Sequence, residues 1–542
     1  MANPSLQIGN SNWAIKEDNL LGYSTAGTRF VPQPITMTRA SAGTRVNSSG
    51  LVETVELLGS EEVTNGSFTT DSDWTKGTGW TIGVDKAIYT GTANSNLEQG
   101  SILNSGINYI LNYEVISSTL SGGIVKLSGE TASAQNVLSQ VVGTHSLIFT
   151  ANGSSPEDFK IRIVVNTSGS YEITNISVKE YTANNLARVD YDGTASSLLA
   201  EPERTNLITY SEDFSGSGWF NTGTTVSIAE SITDPSGNNN SYKLIESSGT
   251  GFHFTNTYTS TLSSANTFSF YAKSSERTQV SAFFSQSGNV GAIFDLSAET
   301  ATASGTGNTA TIENVGNGWY RCVVSNNGSS QISNNIRIGV QNGALDSYTG
   351  DGTSGVYIWG TQTEQGSYAT SYIPTDGSTV TRVQDQYSKT GISNLINSEE
   401  GTFFLDLALL SGNTNYDLQT SIVLSDGGAN NRVLIYSPTT PQNRYIALIK
   451  SEGNTVIQKT IDATDITLFN KIAVTWKTNE YKIFLNGNPI YSNTTPTATP
   501  IGLNSLFFAA YNSTVNPFYG KVKQLQVFKT ALTDSELEIL TT

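Results

Sequence analysis

One cysteine in 542 residues excludes an intrachain disulfide, so each domain must be held by its own core. Two histidines leave little material for acid–base chemistry near neutral pH, because histidine is the side chain that ordinarily titrates there. Basic residues are also scarce. Lys and Arg number 29 against 46 Asp and Glu, and the resulting net charge of −17 argues against nucleic acid and anionic membrane as partners. Charged residues make up 14% of the chain, where about 25% is usual. No apolar run reaches the eighteen or so residues of a membrane-spanning helix. The opening "MANPSLQIGNSNWAIK" lacks a basic segment followed by an apolar one, so folding in a cytosol is expected.

The abundant residues are glycine (50), tyrosine (24) and phenylalanine (21), in a background rich in Ser, Thr and Asn. Aromatic and β-branched residues fit strands, and Gly, Asn and Ser fit tight turns. Runs such as "FKIRIVVNT", "TFSFYAKS" and "YRCVVS" are short, alternating or apolar, and bounded by turn residues. The length predicts three or four domains, and the rhythm predicts an all-β chain of several β-sandwich (jelly-roll) modules in tandem. Cys322, within "WYRCVVSN", reads as a buried strand thiol rather than a nucleophile. His145 and His253 read as strand residues.

Two stretches match. "VTNGSFTTDSDWTKGTGWTIG" begins at Val63, and "ITYSEDFSGSGWFNTGTTVSI" begins at Ile208. Each passes through a small polar run and a Phe to a Trp, then into Thr-rich strand. Their segments also close alike, on "GSYEITNISVKEYTA" and "SGVYIWGTQTEQGSYATSYIPT". The chain therefore repeats a unit, with β-sandwiches expected at 57–182 and 205–378.

"ITMTRASAGTRVNSSGLVETV" (Ile35–Val55) and "NNLARVDYDGTASSLLAEPERTNLITYSEDF" (Asn184–Phe214) resemble two halves of one stretch found in bacteriophage fibre and tail proteins. On this resemblance a small discontinuous N-terminal anchoring unit covers 1–56 and 183–204, with the first sandwich inserted after Val55. Trp13 and Tyr23 would anchor it to the virion. The second sandwich also resembles these proteins, and both sandwiches, 57–182 and 205–378, are similar to carbohydrate-binding modules. After a linker at 379–389, residues 390–542 resemble a laminin-G or concanavalin A-like jelly roll. There "FNKIAVTWKTNEYKIFLNGNPIYS" reads as a hairpin with Ile472, Val474 and Trp476 on one face. Thr533 and Glu536 form a capping box ahead of a short C-terminal helix.

No zinc spacing, phosphate loop or nucleophile elbow is present, and no run singles out a pair of carboxylates. Catalysis is not expected and no cofactor is required. Sugars offer apolar C–H faces to aromatic rings and hydroxyls to amides, so aromatics in turn-rich sequence are the candidate glycan contacts. These are Trp74, Trp80, Trp219, Phe220, Tyr511, Phe518 and Tyr519. A Trp near the first strand of a sandwich is equally a core plug, and Trp319, Trp359 and Trp476 read as core. Asp71, Asp73 and Asp426 are loop carboxylates that could hold a structural Ca²⁺, or simply form turns.

The resemblance implies a non-enzymatic virion surface protein, a head or tail fibre. It would be assembled in the host cytoplasm as an oligomer, a trimer in such fibres, and displayed on the particle to grip host polysaccharide. It would join other virion proteins through its N-terminal unit. A capsid or tail decoration protein, and a polysaccharide depolymerase, are the alternatives.

Overall fold

The computed structural model describes residues 3–9, 14–16, 19–26, 29–121, 123–127, 136–153, 156–164, 168–216, 218–260, 262, 265–284, 290–328, 333–343, 347–410, 420–438, 443–512 and 515–542, with the backbone alone over 14–34. The chain is all-β. Among the described residues the only helix is Asp534–Thr541, and no helix is long and apolar enough to cross a membrane.

Glu56–Ala183 forms a compact unit of its own. One sheet orders Gly143–Thr150, Asn108–Ser118, Gly169–Thr182, Lys86–Gly91 and Trp80–Gly83, with Leu57–Glu61 also against Gly169–Thr182. The other orders Val137–Leu138, Ile124–Leu127, Glu157–Val164, Ser95–Leu103 and Thr75–Lys76. The two-residue period of a strand decides what each face carries. In Glu157–Val164, Phe159, Ile161 and Ile163 enter the core, leaving Asp158, Lys160 and Arg162 outside.

Residues 1–55 and 184–542 form a second compact unit. Within it, a sandwich of two six-stranded sheets spans Trp219 to Gln365. Phe268, Phe270, Phe294, Ile336 and Ile338 fill the space between the sheets. Cys322 is fully buried there, and burial pushes its thiol well above the ordinary value of 9.0. A thiol reagent should therefore leave the native protein unlabelled and take up one equivalent only after unfolding; native labelling at the unfolded rate would contradict this placement.

The rest is a jelly roll in two layers. In one, Gly520–Phe528 is flanked by Glu400–Leu409, which continues through Asn470–Lys477, Tyr481–Leu485 and Asn488–Asn493. The other runs from Arg29–Thr38 through Gln386–Lys389, Ser505–Phe507, Thr420–Ser425, Arg432–Ser437 and Arg444–Ser451 to Asn454–Asp462. Trp476 is buried and donates its indole N–H to Asn397 O at 3.1 Å. Gly401 lies opposite it, where a Cβ would sit 2.3 Å from the ring, so only glycine lets the two strands close over that indole. Thr533 and Glu536 make the expected capping box, and the helix covers the outer face of the first layer through Leu537, near Phe404 and Phe484.

The N-terminal segments do not form a separate layer, and this corrects the sequence reading. Leu6–Gly9 and Ala195–Ala200 lie end to end along one edge of Gly520–Phe528, in the registers Leu6↔Val527 and Leu198↔Val522. Arg29–Thr38 pairs with Gln386–Lys389 through Met37↔Tyr387. Leu6, Ile8, Ile35, Met37 and Leu198 are part of the jelly-roll core. So few apolar residues cannot close a core of their own, and the last strand offers them an unpaired edge.

The stretches Ile35–Val55 and Asn184–Phe214 converge on a buried ion network. Asp385 takes Arg39 Nη1 at 2.7 Å on one oxygen and Arg188 Nη2 on the other. Glu201 takes Arg188 Nη1 at 2.6 Å, Arg382 Nη1 at 2.9 Å and the Ser371 hydroxyl at 2.7 Å. These five charged side chains are 0–3% exposed. Gly43 packs over them, and a Cβ there would stand 2.9 Å from the Arg39 guanidinium carbon. Beside them Asn206, fully buried, donates to Thr361 O and Ile373 O and accepts from the N–H groups of Ile208 and Thr363. The network thus joins the N-terminal segment, the return hairpin, the second sandwich and the jelly roll.

Candidate functional site

The two matching stretches build the same device. Trp74 donates its indole N–H to Asn65 O at 3.1 Å, and Trp219 donates to Tyr210 O at 2.9 Å, each nine residues back. Phe68 packs on Trp74 with ring centroids 5.3 Å apart, and Phe214 on Trp219 at 4.8 Å. Both indoles are 7% exposed. Trp74, Trp80 and Trp219 are therefore core plugs, not sugar platforms, because a buried ring offers no face to a ligand.

Each plug also orients the residue after it. With Trp219 turned inward, strand alternation turns Phe220 outward, and Phe220 is 56% exposed. It lies opposite Asn256, and its ring meets Tyr258, itself 53% exposed, edge-on at 5.9 Å. Phe254–Tyr258 reverses the usual pattern. Thr255 and Thr257 point inward and are buried, while Phe254, Asn256 and Tyr258 share the outer face. The adjacent strand Asn335–Gln341 adds Arg337, whose guanidinium lies over the Phe254 ring at 4.5 Å. Burial lowers the Arg337 pKa from its ordinary 12.5, which still leaves a cation.

Asn256 and Asn335 lie beside Phe220 and Tyr258, and Ser281 and Gln341 lie further along the same face, at and beyond Phe254, all four buried. Asn335 donates to Tyr258 Oη at 3.3 Å and Gln341 to Ser281 Oγ at 2.8 Å. The amide oxygens of Asn335, Gln341 and Gln279 have no hydrogen-bond partner. An amide oxygen buried without a donor costs about 1–3 kcal/mol, and these oxygens are closed to solvent. The exposed rings of Phe220 and Tyr258, with the Arg337 guanidinium beside them, fit the apolar face of a polyhydroxylated ring.

Of the remaining expected contacts, Phe518 and Tyr519 are buried, Phe518 against Phe508 at 5.9 Å and Tyr519 donating to Gln384 Oε1 at 3.1 Å. Both are core or seam residues. Tyr511 is half-buried beneath the Arg432 guanidinium at 5.6 Å. Trp13 lies outside the described residues, and Tyr23 is described only by its backbone in Asn19–Ala26.

The calcium candidates each have protein partners of their own. Asp71 pairs with the Lys76 ammonium, and Asp73 accepts from Ser72 Oγ at 2.5 Å. Asp426 accepts from the Gly428 N–H at 2.8 Å and the Asn431 amide at 2.9 Å, closing its own turn. Among the described residues no group of three or more His, Cys, Asp or Glu could hold a metal. His253 is buried with its two ring nitrogens 2.6 and 3.1 Å from the carbonyls of Gly223 and Tyr348, a tie between loops.

No curated protein matches the chain. Among solved structures it is similar to the CBM40 of the Ruminococcus gnavus IT-sialidase bound to α2,3 sialyllactose, at 18% identity over 27% of this chain and 84% of that one, with a TM-score of 0.23. It is also similar to domain 4 of the extracellular GH43 arabinanase AbnA of Geobacillus stearothermophilus in complex with arabinotriose (17% identity, 29% and 73% covered, TM-score 0.21). Mouse laminin α1 domains LG4-5 are a third similar structure (10% identity, 53% and 90% covered, TM-score 0.19). Residues 411–538, within the jelly roll, match the family described as the concanavalin A-like lectin/glucanases superfamily.

Proposed function

We propose that this chain is a non-enzymatic adhesin on a bacteriophage surface, a head or tail fibre protein that holds host polysaccharide through the outer face of its second sandwich. The observation that carries the glycan reading is the exposed Phe220–Tyr258 pair, edge-on to one another on the outer face of the sheet. The shared Arg39, Arg188 and Glu201 motifs support the fibre reading. Each shallow site binds weakly, and copies in an oligomer raise avidity by roughly 10²–10⁴. Purified protein should label host cells, and periodate oxidation of their glycans should abolish the label. Labelling that survives periodate would remove the sugar and leave a decoration protein.

Glu212 is the acid most suited to the depolymerase alternative. Burial raises its pKa above 4.5, and Tyr372 Oη donates to it at 3.0 Å. Its neighbour Asp234 is committed to the turn at Ser236 and Asn240, so the pair reads as structure rather than as an acid and a base. Incubation with host capsule should release no reducing ends.

A further inference from the structure

The first sandwich carries the counterpart of the aromatic face, and its chemistry differs. Thr75 follows the Trp74 plug as Phe220 follows Trp219, and lies opposite Glu98 as Phe220 lies opposite Asn256. The outer face beyond it is charged instead of aromatic. Lys160 is held by two carboxylates, Asp158 at 3.0 Å and Glu98 at 3.6 Å. Two residues along, Arg162 lies directly opposite Lys126. Neither has a carboxylate within ion-pair distance among the described residues, and Arg162 Nε has no hydrogen-bond partner at all. Like charges facing each other across two strands destabilise a sheet, and this protein has acid to spare at a net charge of −17. Two adjacent unneutralised cations are therefore a feature that structure alone does not explain.

Arg162 also lines a cleft of about 300 Å³ with Thr75, Gly77, Thr78, Ser95 and Asn96. This is the small end of ligand clefts, sized for a single sugar ring. Lys76 and Glu98 line the same cleft; Lys76 pairs with Asp71, and Glu98 shares Lys160 with Asp158.

We propose that this cleft is a second glycan site, specific for a sugar bearing a carboxylate. The carboxylate sits against Arg162, with Lys126 beside it on the same outer face, and the ring hydroxyls meet Asn96 and Thr78. The proposal does not rest on the aromatic face of the second sandwich. One chain would then read two features of a surface polymer, a neutral ring on one module and an acidic ring on the other.

Full-length protein titrated with trigalacturonate should show saturable binding that weakens as salt is raised. Maltotriose, its neutral counterpart, should not compete, nor should acetate at equal carboxylate concentration. Arg162→Gln should weaken trigalacturonate binding roughly ten- to a hundredfold, the range of a lost charge-assisted hydrogen bond. Lys126→Gln should weaken it less, and Arg162→Lys should restore part of it. The double variant Phe220→Ala/Tyr258→Ala should bind trigalacturonate as wild type does. Equal affinity in Arg162→Gln and Lys126→Gln, competition by acetate, the absence of saturable binding, or loss in the Phe220/Tyr258 variant would each overturn the proposal. Arg162 and Lys126 are part-exposed, and unchanged melting of both variants verifies that the module is intact.

Discussion

Asp385→Asn is expected to destabilise the body formed by residues 1–55 and 184–542 by about 3–5 kcal/mol, the usual cost of removing one partner from a buried pair. The amide leaves Arg39 buried without its counter-charge and Arg188 with Glu201 alone, out of reach of water. The control is Glu53→Gln, which breaks the part-exposed Arg45–Glu53 pair and should cost about 0–1 kcal/mol. Denaturant melts report both, with the unit Glu56–Ala183 expected to unfold in its own transition. If Asp385→Asn costs no more than Glu53→Gln, the network does not hold this body together. The network also sets an acid limit. Burial alone would raise the Glu201 carboxyl, but the guanidiniums of Arg382 and Arg188 and the Ser371 hydroxyl outweigh it and hold its pKa far below the ordinary 4.5. A carboxylate depressed in the folded state stabilises fully above its unfolded pKa. That contribution should begin to fade as the pH drops below about 4.5 and be lost on the way down to the folded pKa, and Glu201→Gln should flatten the slope.

Trp219→Ala and Trp74→Ala should each cost about 3–5 kcal/mol, and each in a different body. Either change empties a buried indole site beside Phe214 or Phe68 and leaves the carbonyl of Tyr210 or Asn65 without its donor. Phe220→Ala, one residue from Trp219, should stay within about 0.5 kcal/mol of wild type because that ring already faces water. Binding should sort the other way. Phe220→Ala loses affinity for polysaccharide, while Trp219→Ala retains it wherever the sandwich is folded. A stable Trp219→Ala that no longer binds would return that indole to the ligand.

Much of the fold follows from local patterns. The alternation through Ile472, Val474 and Trp476 gives the hairpin, and the Thr533–Glu536 spacing gives the cap, because each depends on neighbours in sequence. The matched Phe–Trp stretches mark two sandwiches for the same reason. The placement of the N-terminal strands is different. Leu6–Gly9 completes a sheet with residues more than five hundred positions away, and no local signal specifies that edge. The site was legible only in part. Phe220 was within reach, since the residue after an inward Trp must point outward. Trp74 and Trp219 offered two readings that composition could not separate, since the Asn65 and Tyr210 carbonyls that claim them are set by the turn geometry. "FHFTNTY" did hold a signal, with aromatics alternating against threonines, but the inversion is visible only once Thr255 and Thr257 are seen inside. Lys126 and Arg162 lie 36 positions apart, and only strand register makes them neighbours.

The claim that this face grips sugar without cutting it is tested most directly by calorimetric titration of full-length protein with purified host surface polysaccharide, with reducing ends counted in the same cell. Wild type should bind with no release of ends, and Phe220→Ala/Tyr258→Ala should bind at least about tenfold more weakly, as expected for two lost aromatic contacts, while melting as wild type does. Unchanged affinity in that double variant, or reducing ends accumulating in proportion to time, would contradict the account.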